Sequence, residues 1–233
     1  MASAIAIAIA SAASRAGGDR VASLSSPFLD CIMSIRCEDI FSHPEFRRLS
    51  GLPGIAVDLR YASVRNFVGR DLYGELDCAW LHRQAAAGLE LAVGWLGDVA
   101  PGHRLLVLDA LRPHRVQIEL WDFLDGTGLR QYVADPARGS IHSFGMAIDA
   151  TLIDADGREL DMGSGFDEMI ELSHPRLEAH HLASGALTHE QHQARELLRD
   201  ALAAGGFRGI ENEWWHFEML DRQHLRQHFA RVD

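Results

Sequence analysis

The segment Ser140-Ile-His142-Ser-Phe-Gly145-Met-Ala-Ile-Asp149 constrains this chain more than any other. From Gly145 to Asp154 the residues alternate. Met146, Ile148, Ala150 and Leu152 fall on one face; Ala147, Asp149, Thr151 and Ile153 fall on the other. A period of two marks a β-strand. Asp149 sits beside Thr151 on the more polar face, and Gly145 lets the backbone turn between His142 and the strand. Any fold must therefore place a sheet strand here, with a histidine held near it.

Other segments supply the remaining elements. Ile55, Val57 and Leu59 alternate with Ala56, Asp58 and Arg60, which predicts a half-buried strand with the first three inside. Leu81, Ala85, Leu89, Ala92, Val93 and Leu96 recur at helical spacing and predict a helix ending near Gly97. Arg104 to Leu108 predicts a short strand. A second helix follows Arg112-Pro113, with Val116, Leu120, Phe123 and Leu124 on one face. Residues 125–140 are rich in glycine and read as a loop. Thr188 and Gln191 fit a capping box at the start of a third helix, whose apolar stripe is Ala194, Leu197, Leu198, Ala201 and Leu202 and which Gly205-Gly206 stops. The last strand candidate runs from Glu213 to Met219. With no internal repeat or low-complexity linker, one α+β domain with a central antiparallel sheet is expected. It should span residues 41–233, with residues 1–40 a peripheral extension.

The chain has 233 residues, 47% of them hydrophobic and 24% charged, enough for a sizeable core. Its formal net charge of -11 disfavours nucleic-acid backbones and anionic membrane surfaces, so small-molecule partners are expected. The sequence does not fix the oligomeric state. Cys31, Cys37 and Cys78 form no CxxC pair and are expected to be reduced and structural. The Ala/Ile run at residues 2–13 is too short for a membrane span of ~20 residues. No Lys or Arg precedes it, as a secretory signal usually requires, so a cytoplasmic location is expected, with export the alternative.

His142, Asp149 and His216 are the ligand types that a catalytic zinc takes, usually three protein groups with one position left for water. Water on such an ion is acidified to a pKa of about 7. Glu213, beside a ligand in Glu213-Trp-Trp-His216, is the candidate for moving its proton. Arg112 is the candidate partner for a developing oxyanion. Residues 213 and 216 are three apart and would point to opposite faces of a straight strand. The chain must therefore bend there, or Glu213 must precede the strand.

SxHxxGxAxD together with Glu-Trp-Trp-His resembles the vancomycin-resistance-type D-Ala-D-Ala dipeptidases of the LAS metallopeptidase group, peptidase family M15. Val57 to Gly69, Asp109-Ala-Leu-Arg-Pro113 and Met162-Gly-Ser-Gly-Phe-Asp167 resemble further family segments in the same order. The match runs from about Phe41 to Phe229. It implies the LAS/hedgehog-type peptidase fold with the metal on the sheet, and hydrolysis of the D-alanyl-D-alanine dipeptide. It implies one zinc ion per chain on His142, Asp149 and His216. Glu213 would be general base and acid, and Arg112 would stabilise the transition state. Asp167 would meet the substrate's amino group, Ser140 its carboxylate, and Tyr61 would line the pocket. Two alternatives stay open: a D,D-carboxypeptidase or cell-wall endopeptidase of the same fold, and a zinc-binding module without activity.

The bland readings hold elsewhere. His189 and His192 do not form HExxH, so the helical zinc motif is absent. His180-His181, His224 and His228 read as solvated or packing residues. Trp214 and Trp215 read as packing residues that could also wall the pocket.

Overall fold

A computed structural model describes residues 34–233 of the chain. The apolar run at residues 2–13 and Cys31 lie outside them. The strands are β1 (Ser34–Ile35), β2 (Phe46–Arg48), β3 (Ile55–Val57), β4 (Trp80–His82), β5 (Arg104–Asp109), β6 (Ala147–Ile153), β7 (Arg208–Gly209), β8 (His216–Glu218) and β9 (Arg231–Val232). The α-helices are α1 (Arg83–Val99), α2 (His114–Phe123), α3 (Glu178–Ser184), α4 (His189–Ala204) and α5 (Arg222–His228).

The main sheet has the order β3-β5-β6-β8-β7. Its pairings around β6 are antiparallel, as is β7 with β8. β3 and β5 instead run parallel at one edge. A parallel pair needs a crossover connection, and the segment carrying β4 and α1 provides it. All of β6 is buried, so its two faces serve different ends. One face, with Ile148, Ala150 and Leu152, joins Leu89 and Leu96 of α1 and Leu198 and Leu202 of α4 in the core. The other face carries Asp149.

Local signals account for the helices. The His82 side chain accepts the Gln84 N–H at the start of α1. Leu81, expected in that helix, therefore lies in β4 just before it. At α4 the Thr188 Oγ accepts the Gln191 N–H at 3.2 Å and Gln191 accepts the Thr188 N–H at 2.9 Å, which is the expected capping box. On α2 the buried apolar residues are Val116 and Leu120, followed by Leu124 just past its end, while Phe123 is 48% exposed. On β3, Val57 is 39% exposed rather than inside, because this three-residue strand borders solvent at the sheet edge.

The expected domain border at residue 41 falls within a 3-10 helix, Cys37–Ser42. Cys37 and Ile40 are buried in a second apolar cluster, and β1 pairs in parallel with β9. Residues from Ser34 onward therefore pack with the rest. Cys37 and Cys78 are both free and buried.

Candidate active site

His142 lies in a 3-10 helix, Ile141–Phe144, that Gly145 ends. Gly145 has φ 64, a left-handed conformation that favours glycine. A Cβ there would also lie 2.7 Å from the His82 nitrogen and 2.8 Å from the Phe46 ring. The turn feeds directly into β6, where Asp149 pairs with His216 of β8 across the antiparallel ladder. Two neighbouring strands and one turn thus converge three side chains.

Their ligand atoms face one point. His142 Nε2 lies 3.1 Å from His216 Nδ1 and 3.3 Å from Asp149 Oδ1, and His216 Nδ1 lies 2.9 Å from Asp149 Oδ1. A tetrahedral ion with bonds of about 2.0–2.1 Å would separate its ligands by about 3.3 Å. The outer ring nitrogens are also engaged. His142 Nδ1 donates to the Ala110 carbonyl at 2.8 Å, and His216 Nε2 to Glu218 at 3.0 Å. With a cation bound, those bonds would leave the inward nitrogens as lone-pair donors, the arrangement typical of metal-bound imidazoles. Burial opposes ionisation of Asp149, yet the two histidines hold its carboxyl well below the usual range. Burial likewise works against a charged His216, but Asp149 and Glu218 lift it to about 10. This cluster suits a cation, and it is where a metal could sit.

Arg112 borders the same cleft. Its Nε and Nη2 donate to Asp109 at 2.9 and 2.7 Å, its Nη2 also to Asp149 at 3.3 Å, and its Nη1 to Gln117 at 3.2 Å. Tyr73 donates to the other oxygen of Asp109. Arg112 is thus fixed through a buried carboxylate, and these bonds leave one of its five N–H donors free.

The bend expected in Glu213-Trp-Trp-His216 is present. The chain bends at Trp214 and Trp215, and β8 begins only at His216. Glu213 therefore precedes the strand and lines the cleft with His216. Burial raises its carboxyl to about 7, against the pull of His216 and Arg112. Both tryptophans are buried, and Trp215 also lines the cleft.

Asp167 reaches the cleft from the Met162–Asp167 loop. Its φ of 61 is unusual for a residue other than glycine. Its Oδ1 accepts the Tyr61 hydroxyl at 3.1 Å, whereas its buried Oδ2 has no hydrogen-bond partner in the protein. Burial first, and the Asp149 charge next, push its carboxyl well up. The loop is tied down from beneath. Arg195, 1% exposed, donates to the Met162 carbonyl at 2.7 Å and the Leu172 carbonyl at 2.9 Å. The Trp214 indole donates to Ser164 at 3.0 Å. Ser140 and Tyr61 line the same cleft, so every residue singled out for a site role meets there.

The sequence reading did not single out Asp109, Glu218 or Arg226. Asp109 and Glu218 stand within or beside the matched motifs, next to Arg112 and His216. Arg226 gives no local signal. Two of the histidines outside the site have structural partners: His181 bonds the Glu171 carbonyl, and His192 pairs with Glu178 and Glu196.

A His-Asp-His set from two strands and a turn, beside a carboxylate that does not join it, is the arrangement a metal-dependent hydrolase would need. The family described as D-ala-D-ala dipeptidase, peptidase family M15, matches residues 46–233, and the chain belongs to it. A D-alanyl-D-alanine dipeptidase of Escherichia coli (strain K12) is 39% identical over 167 residues, covering 72% of this chain and 80% of that protein. One from Enterococcus faecalis (strain ATCC 700802 / V583) is 29% identical over 197 residues, covering 76% and 92%. One from Streptomyces coelicolor (strain ATCC BAA-471 / A3(2) / M145) is 29% identical over 217 residues, covering 76% and 91%.

Proposed function

We propose that this chain hydrolyses the D-alanyl-D-alanine dipeptide to two D-alanines, with one zinc ion held by His142, Asp149 and His216. The carrying observation is Asp167: a strained, buried carboxylate with one oxygen unpartnered, in the cleft that holds the metal ligands. A carboxylate so placed suits a free ammonium group, which a dipeptide has and an acylated peptide lacks. The cleft, about 190 Å³, also falls below the ~300–1,000 Å³ usual for drug-sized ligands.

A zinc ion held there supplies Lewis acidity, acidifying water and polarising the scissile carbonyl. Glu213 takes the proton of the attacking water and returns it to the leaving amine. A carboxyl near 7 is suited to both steps at neutral pH. Arg112 turns its free N–H toward the oxygen on which negative charge develops. Asp167, steadied by Tyr61, takes the substrate ammonium, and Ser140 meets its carboxylate.

The test compares the free dipeptide with N-acetyl-D-alanyl-D-alanine. Zinc-loaded protein should release D-alanine from the dipeptide, lose this activity to a chelator and regain it with zinc. Acetylation should lower kcat/KM by about tenfold or more, the worth of one charged hydrogen bond. Equal turnover of both substrates would instead support a D,D-carboxypeptidase. No release of D-alanine would overturn the reading.

A further inference from the structure

Three arginines line the cleft, and they differ in what holds them. Arg112 is paired with Asp109 and Asp149. Arg222 is paired with Glu218 through two bonds, at 2.6 and 2.9 Å. Arg226, on the next turn of α5, forms no ion pair among the described residues. Its Nη2 donates to the Gly139 carbonyl at 3.1 Å, and its buried Nε has no hydrogen-bond partner in the protein. The anchoring carbonyl belongs to the residue just before Ser140.

A half-buried guanidinium held by one neutral acceptor retains its charge and most of its donors. It is the complement of a planar carboxylate, which it can engage through two parallel bonds. In the same cleft, Asp167 offers a carboxyl oxygen with no hydrogen-bond partner in the protein. The cleft therefore offers a guanidinium without a counter-ion for a carboxylate and an unpartnered carboxyl oxygen for an ammonium, the two ends of a zwitterion.

We infer that Arg226 is a specificity-determining residue that, beside Ser140, binds the terminal carboxylate of the substrate. The inference rests on the dipeptidase reading above and deepens it. Arg226 and Asp167 together then select an unmodified dipeptide at both ends. Because the contact is made equally in ground and transition states, it acts on KM more than on kcat.

The experiment uses wild type, Arg226→Met, Arg226→Gln and Arg226→Lys on D-alanyl-D-alanine and on D-alanyl-D-alaninamide, which lacks the carboxylate charge. Arg226→Gln keeps a polar side chain without the charge, and the amide substrate guards against simple loss of the α5 anchor, which would affect both substrates alike. Arg226→Met and Arg226→Gln should raise KM for the dipeptide by about 10- to 100-fold, with kcat within about threefold. Their kcat/KM for the amide should stay at the wild-type value, and Arg226→Lys should keep part of the preference for the free carboxylate. An unchanged KM for the dipeptide overturns the inference. So does an equal loss on dipeptide and amide, which is what a purely structural role gives. Wild-type inactivity on the dipeptide would overturn the dipeptidase reading itself. An active wild type with an unaltered Arg226→Gln preference would overturn this inference alone.

Discussion

His216 Nε2 donates to Glu218 Oε1 at 3.0 Å, on the side of the ring opposite Asp149. Glu218 is in turn gripped by Arg222. Burial works against its charge, yet His216 and Arg222 hold its carboxyl down to about 2. The ring is thereby fixed in orientation, with Nδ1 facing Asp149 and the cleft. Glu218→Gln should weaken zinc binding by about 10- to 100-fold, the usual effect of removing such a partner. Competition against a chromophoric chelator measures this directly, and an unchanged affinity would show that the ring needs no such support.

Glu213 sets a pH limb. As a base it works only when ionised, so kcat/KM should rise with pH as its proton is lost. Its carboxyl is near 7 without metal, and a neighbouring cation favours the charged form, so the limb should lie at or below about 7. Glu213→Gln should retain zinc and lose about 10²- to 10⁴-fold in kcat. A pH–rate profile that keeps the same acid limb in that variant would assign it to another group.

Asp167 should weaken the fold it serves. Its carboxyl is raised well above the unfolded value by burial. A raised carboxyl contributes stability that is complete below the unfolded pKa and is lost as pH rises through the folded one. At pH 8 the metal-free Asp167→Asn protein should therefore melt higher than metal-free wild type, and the zinc-loaded variant should turn over free and N-acetylated dipeptides alike. Thermal melts at pH 5 and pH 8 test the sign: the gap between variant and wild type should widen toward pH 8.

Gly145→Ala should destabilise the protein by about 1–3 kcal/mol, since it combines a left-handed φ with a Cβ pressed against the His82 backbone. Denaturant titration provides the measurement. A change below about 0.5 kcal/mol would mean that the turn relaxes.

How much of this could be read in advance depended on how local each feature is. The period of two around Asp149, the glycine after His142 and the Thr188–Gln191 cap are properties of neighbouring residues, and they appear where expected. Residue spacing alone set up the conflict between Glu213 and His216 and its resolution by a bend. Pairings between distant segments were not legible. The parallel union of β3 with β5 depends on a crossover, and the packing of Cys37 depends on β1 meeting the far end of the chain. Val57 alternates as an inner residue does, but an edge position leaves it in solvent. Arg226 reaches the cleft from a short helix whose sequence gives no sign of where it docks.

Strand β6 is paired on both sides and covered on both faces. Displacing it by one residue would turn Asp149 into the apolar core and Ile148 into the cleft. Single-residue insertions or deletions in Ala147–Ile153 should therefore abolish the site outright. Length changes should be tolerated instead in connecting segments such as residues 124–139, part of which lines the cleft, so the pocket wall can be reshaped while His142, Asp149 and His216 keep their spacing.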